Sequence, residues 1–377
     1  MSSAGCGGNT RSALRAGAAL ILVLLLLTAR GATEAQPGEL PSRLSLEEAV
    51  SLALSRNPDL FVAEFEREKA QVALERARYA ADELREERIQ SYELARVKEV
   101  IPRQALLGLR VAERAVEEAR RGMRLRVEGA YFGVLLAREM EKVKEEAVRL
   151  AGEQRRLAEA GVRAGTRARL DVLAARAQEA QAQAELASAR RERKVAEMEL
   201  NRLLHFPLTH ELELLTPLQE TVPDDPLLAD PEKALQAAEK VSLSLLQAEE
   251  KVEAARVAFQ VAARWYTPNV FAYREAQAEL RKAEAERERA RTELELSVRR
   301  AILEVEEAAS RIEQGRQAVA FLQEALRLAR LRYEAGVGTN AEVLDAQVRL
   351  GEARVALARA VFGLNSALSR FRSLTGQ

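Results

Sequence analysis

Cysteine is all but absent. The 377 residues contain one, Cys6, so no disulfide framework can staple the chain. Two histidines, His205 and His210, flank Pro207 without the Cys or acidic partners that a metal site needs at ligating spacing. They read as linker residues. No Ser/His/Asp grouping, phosphate-binding glycine loop or cysteine nucleophile occurs, which argues against an enzyme, and nothing calls for a metal or other cofactor. Aromatics make up only 4% of the chain, where a compact core of this size would hold more Phe and Trp. Charge of one sign is not in excess either. Lys plus Arg and Asp plus Glu each number 58, so nucleic-acid binding gains no electrostatic support.

Long hydrophobic runs are limited to one, from Ala16 to Ala29. Arg11 and Arg15 precede it, and Thr33-Glu-Ala35 follows as a cleavage site, so residues 1–35 read as a secretory signal. The run is short for a membrane span, which makes an uncleaved anchor the lesser reading. Cys6 lies ahead of the run, where a lipoprotein signal cannot use it.

What the chain does have is charged and hydrophobic residues, 31% and 47%, rich in Ala, Glu, Arg and Leu. That composition predicts long helices and coiled coil. One stretch organises them: Leu331-Arg-Tyr333-Glu-Ala335-Gly336-Val337-Gly338-Thr339-Asn340-Ala-Glu342-Val343-Leu344-Asp345-Ala346-Gln347. Gly336 and Gly338 give the backbone access to φ > 0, which closes a helix at little cost. Thr339 or Asn340 can then cap the next helix, with Glu342 in its first turn. Seven-residue spacing follows, with Val343, Leu350, Leu357 and Leu364 in one row and Ala346, Ala353, Ala360 and Ala367 in the other, read as the two rows of a coiled-coil seam.

The unit occurs twice. Arg163-Ala164-Gly165-Thr166-Arg-Ala-Arg-Leu170-Asp171-Val172-Leu173 aligns with Glu334 onward at a constant offset of 171, and the alanine row returns at Ala175, Ala182, Ala189 and Ala196. Such a spacing marks a duplicated hairpin rather than a solenoid. Asp171 matches Glu342, but Ala174 stands where the second copy has Asp345.

Tyr-Glu-Ala-Gly-Val-Gly-Thr followed by Glu-Val-Leu-Asp-Ala-Gln resembles the periplasmic hairpin tip of the TolC-like outer-membrane efflux family, and the likeness extends over most of residues 44–376. The resemblance implies an all-α body of long antiparallel hairpins in two tandem repeats, of the α-barrel type. It further implies a homotrimer of twelve long helices around a channel, with a periplasmic adaptor (a membrane fusion protein) and an inner-membrane pump as partners. It places pore-constricting acids at Glu342 and Asp345, with Asp171 the counterpart in the first repeat. The adaptor-docking surface falls on Gly161, Gly165 and Thr166 of one tip and on Gly336, Val337, Gly338 and Thr339 of the other. Ordinary first-turn acids and plain helix turns remain the alternatives at these positions.

In chain order, Leu44 to Ser55 predicts a short helix capped by Ser45 with Glu48 at the capping-box position, and Asn57-Pro58-Asp59 starts the next. The first repeat occupies residues 36–204, a Pro- and Asp-rich linker 205–230, and the second repeat 231–377. Leu212 and Leu214-Leu215 offer a short edge strand in the linker. The family would place two membrane strands within 79–124 and two more after Arg264-Trp265-Tyr266-Thr267-Pro268. Neither segment carries the roughly 9–11 alternating residues that such a strand needs. Val100-Ile101-Pro102 alone breaks the helical pattern there, as a turn or a distal tip.

The sequence therefore predicts an exported helical conduit of a tripartite efflux or type I secretion system, with little or no β-barrel and passive transport. The alternative is a periplasmic or cell-surface coiled-coil scaffold that has lost the channel role. Outer-membrane association is left open by the missing strands, because lipid tolerates only helices or closed barrels.

Overall fold

The computed structural model describes residues 40–377, so the expected leader at 1–35 and Cys6 lie outside the described residues. Everything below concerns the unit Ser42–Gln377. It is helical, as the composition predicts. A strand β1 (Arg43–Leu44) leads into α1 (Leu46–Arg56), α2 (Pro58–Asp82), a short α3 (Tyr92–Ala95) and α4 (Ile101–Arg163). Then follow α5 (Arg169–Leu203), strand β2 (Glu213–Leu214), α6 (Pro226–Ala229), α7 (Pro231–Val241), α8 (Leu243–Trp265), α9 (Phe271–Glu334) and α10 (Asn340–Thr375).

The helix starts follow local chemistry. Ser45 and Glu48 form the expected capping box on α1, with the Ser45 amide donating to Glu48 Oε2 at 2.8 Å. The Asn57 side chain accepts the Asp59 amide at 2.9 Å, with Pro58 in the first turn of α2. Asp230 caps α7 by accepting from Glu232 and Lys233. Pro102 does not break the chain. A five-residue π-helical turn, Arg96–Val100, carries α3 straight into α4, with the Ile101 amide donating to the Arg96 carbonyl. The real turn lies earlier, between Asp82 and Tyr92.

Helices α4 and α9 have 63 and 64 residues, about 95 Å each at 1.5 Å per residue. Each folds back on a partner at both ends. Toward its C-terminus α4 pairs with α5, and α9 with α10; toward its N-terminus α4 pairs with α2, and α9 with α8. Contacts between α4 and α10, and between α4 and α8, join the halves into one layer, with α5 at an edge and α10 inside. The linker crosses this layer near its middle. There β2 pairs in parallel with β1, Leu44 opposite Leu214, which realises the predicted edge strand. The buried Tyr131 hydroxyl locks the pair by donating to the Leu44 carbonyl at 3.2 Å and accepting the Thr216 amide at 2.8 Å. Asn365 does the same for the linker beyond, exchanging two hydrogen bonds with the Gln219 backbone at 2.9 and 2.8 Å.

The alanine rows divide by neighbourhood. In α5, Ala175, Ala182 and Ala189 are buried against α4, as the spacing predicts. In α10 the buried partner of Val343, Leu350 and Leu364 is a different row: Asn340, Gln347, Val361, Leu368 and Thr375. Of the expected row, Ala346, Ala353 and Ala360 are half-buried and only Ala367 is buried; Ala353, Ala360 and Ala367 line a groove of about 1050 Å³ together with Gly315 of α9 and Gly129 of α4. The reason is position. An inside helix must serve neighbours on two sides, so its seam turns away from the row that an edge helix buries.

Both linker histidines have structural roles. His205 adopts φ 55 and ends α5, with its amide donating to the Arg202 carbonyl at 3.2 Å and the Phe206 amide to Asn201 at 2.9 Å. The His210 ring packs edge-on against Phe206 at 5.3 Å.

Candidate functional site

The two tips share one backbone solution. After α4, Gly165 takes φ 72, its amide donates to the Val162 carbonyl at 3.1 Å and the Thr166 amide to the Gly161 carbonyl at 2.9 Å. After α9, Gly336 takes φ 79, its amide donates to Tyr333 at 3.0 Å and the Val337 amide to Arg332 at 3.0 Å. These are paired Schellman closures, and each needs a residue free to go left-handed. Gly338 is there for another reason, and the expected positive φ falls on Gly336 alone. At Gly338 a Cβ would lie 3.0 Å from the backbone carbon of Arg332 and the amide nitrogen of Tyr333, so even a methyl group would press on backbone that has to shift to admit it. Thr339, not Asn340, caps α10, its hydroxyl accepting the Glu342 amide at 3.3 Å.

Asn340 does something the sequence reading missed. It is buried, accepts a hydrogen bond from the Gln154 amide of α4 at 2.6 Å, and donates to the Asp171 carbonyl at the start of α5 at 3.2 Å. Two turns along, Gln347 donates to the Leu150 carbonyl at 3.3 Å. Arg167, in the first tip, stacks its guanidinium 4.1 Å from the Tyr333 ring centroid and donates to the Tyr333 carbonyl. Burial pushes the Tyr333 phenol above its usual pKa, partly opposed by the Arg167 charge. A polar seam thus ties the tips to each other inside one protomer. Its signature was present in the sequence as amides at Asn340 and Gln347, which hold seven-residue spacing with Val361 and Leu368.

Glu342 and Asp345 sit apart from this seam. Glu342 lies 3.9 Å from Arg332, and Asp345 pairs with Arg349 at 2.9 Å; all four side chains are largely exposed. Asp171 is half-buried and engages Asn340 through its carbonyl. Of the predicted docking residues, Val337 is 72% exposed, Thr166 and Thr339 are exposed, and Gly338 is buried beneath them. Thr166 also turns its hydroxyl back to the Gly161 carbonyl at 3.1 Å. Among the described residues no cluster of His, Cys, Asp or Glu has the makings of a metal site, and no helix is long and apolar enough to cross a membrane.

Two helices about 95 Å long, each turned back into a hairpin by a matched glycine turn at one end, define a helical-tunnel protein. A family model described as outer membrane efflux protein matches residues 103–204 and 269–377, and the chain belongs to that family. It is a family of transport conduits of the cell envelope, not of enzymes. The fold agrees. A membrane protein from Pseudomonas aeruginosa superposes with a TM-score of 0.73 at 19% identity, over 87% of this chain and 93% of that one. The outer membrane protein VceC from Vibrio cholerae gives 0.73 at 17%, over 88% and 96%. The open state of the Neisseria gonorrhoeae MtrE outer membrane channel gives 0.62 at 20%, over 88% of each. No curated protein matches the sequence itself.

Proposed function

We propose that this chain is the conduit subunit of a tripartite export assembly, made after removal of residues 1–35 and working as a homotrimer. Its two repeats, 36–204 and 231–377, joined by the linker 205–230, would each give two long helices to the wall. Transport through it is passive, with energy supplied by an inner-membrane pump. The observation that carries this reading is the pair of matched, cross-tied tips at one end of the body. Two like turns held side by side repeat one surface, which suits an adaptor that meets every hairpin in the same way. Gly161, Gly165, Thr166, Gly336, Val337 and Thr339 form that surface, with Gly338 packed beneath it. Glu342, Asp345 and Asp171 are the candidate constriction, where three copies would gather carboxylates near the axis. Arg332 and Arg349 sit among them, so the ring would carry both signs of charge.

The test is photo-cross-linking in the intact envelope from position 337, in the native chain and with Gly336→Val. Cross-links to an adaptor that carries an α-helical hairpin, lost when the left-handed turn is strained, support the conduit. Strain of this kind costs about 1–3 kcal/mol and is confined to the turn. Cross-links only to other copies of the chain, unchanged by Gly336→Val, would replace the conduit with the coiled-coil scaffold reading.

A further inference from the structure

The end of the body opposite the tips is built unlike the rest. The chain has one Trp and six Tyr. Trp265 and four of those tyrosines, Tyr79, Tyr92, Tyr266 and Tyr273, fall at this end, where α2 and α8 finish and α3, α4 and α9 begin. Phe271 is 78% exposed, Tyr79 68% and Trp265 38%. In a protein so poor in aromatics, that concentration at one extremity is not what a soluble helix cap requires.

The platform beneath is rigid. Tyr92 and Tyr266 meet edge-to-face at 5.0 Å, and Phe259 and Tyr273 at 5.2 Å. Ala95, Val100 and Val261 form a small buried core between the two outer turns. Lys98 caps α2 by donating to the Ala81 and Leu84 carbonyls at 2.8 and 3.1 Å, and Arg264 pairs with Glu99 across the turns. The turns that carry the exposed rings are therefore fixed by contacts of their own.

Neither turn contains a membrane strand. Residues Tyr266–Val270 are all that join α8 to α9, and 79–124 is helical except between Asp82 and Tyr92. A spanning strand needs about 9–11 residues, so this end cannot cross a bilayer by these two turns. The family match begins at residue 103, stops at 204 and resumes at 269, leaving out both turns almost entirely. Trp and Tyr, with an apolar ring and a polar handle, prefer the headgroup depth of a bilayer over either water or hydrocarbon. Charge here is mixed in sign, as in Arg85-Glu86-Glu87-Arg88, so contact does not depend on anionic lipid.

We propose that this strand-free end is a peripheral docking surface for the headgroup layer of a phospholipid bilayer, with Trp265, Phe271 and Tyr79 as the seated groups. The inference goes beyond the conduit reading and stands on this end's residues alone.

Trp265 is the sole tryptophan, so its fluorescence in the full chain reports this end and nothing else. Added to phosphatidylcholine vesicles, the protein should show a blue-shifted emission and quenching by acyl-brominated phosphatidylcholine. The response should be little changed by phosphatidylglycerol or salt. The double variant Phe271→Ser, Tyr79→Ser should weaken the lipid response of Trp265 about tenfold or more while keeping its helicity. Lipid binding through any other segment leaves Trp265 unmoved. Emission indifferent to vesicles would overturn the proposal. So would a shift that follows protein concentration without lipid, which marks end-to-end contact between copies, or a double variant that responds like the native chain.

Discussion

At the residue scale, the seam between the tips turns on Asn340, which uses both ends of its amide on groups from the other half of the chain. Replacing it with Ala strands the buried Gln154 amide and one carbonyl, at an expected cost of about 1–3 kcal/mol. Replacing Gln154 and Asn340 together with Ala removes donor and acceptor at once and should cost less than the two single Ala changes summed. The expected coupling is about 0.5–3 kcal/mol, read from urea unfolding of the four proteins in a double-mutant cycle. Additive costs would mean that the amides do not act as a pair. This residue also marks where sequence reading stopped. Glycines that close the tips are legible because left-handed backbone restricts residue choice locally. The seven-residue spacing of Asn340 and Gln347 was visible too, but not what the amides bind, because their partners lie in other helices.

At the scale of elements, the α4–α5 hairpin combines an alanine seam with ion pairs on its flanks: Arg155 with Glu179 at 2.6 Å, Lys144 with Glu185 at 2.8 Å and Arg190 with Glu145 at 2.9 Å. Small side chains bring the axes close, and the long charged chains then reach across the edges. Ala182→Leu should therefore overpack the seam and cost about 1–3 kcal/mol, whereas Ala180→Leu, on the exposed side, should stay within about 0.5 kcal/mol of the native chain. The midpoint of urea unfolding separates the two, and equal midpoints would count against a tight seam. The seven-residue spacing of both alanine rows was legible from the sequence. Which row becomes buried was not, because that depends on whether the helix ends up at an edge, like α5, or inside, like α10.

Across the whole molecule, charge is the main exposed feature, and most of it is paired on the surface. Glu146, Glu185, Glu199 and Glu324 lie below the ordinary carboxylate pKa of 4.5, chiefly because Arg149, Lys144, Arg202 and Arg327 hydrogen-bond to them. A group depressed in the folded state stabilises the fold above its unfolded pKa and loses that contribution as pH falls through the folded value. Melting temperature should thus be flat at neutral pH and fall once pH drops below about 4.5. The pairs are largely exposed, so the acid loss should shrink in high salt. Thermal melts by circular dichroism at several pH values and two salt concentrations check this, and stability that rises on acidification would contradict it.

The short parallel pairing of Leu44 with Leu214, locked by Tyr131, fixes an order as well as a shape. It ties the start of the described chain to the linker, so the strands and helices of the first half close a loop made wholly of residues that leave the ribosome before the second half exists. The second half has no strand of its own to close with, and it packs α8 and α10 on the already available face of α4. The order in which the chain emerges is therefore the order in which its contacts can be completed.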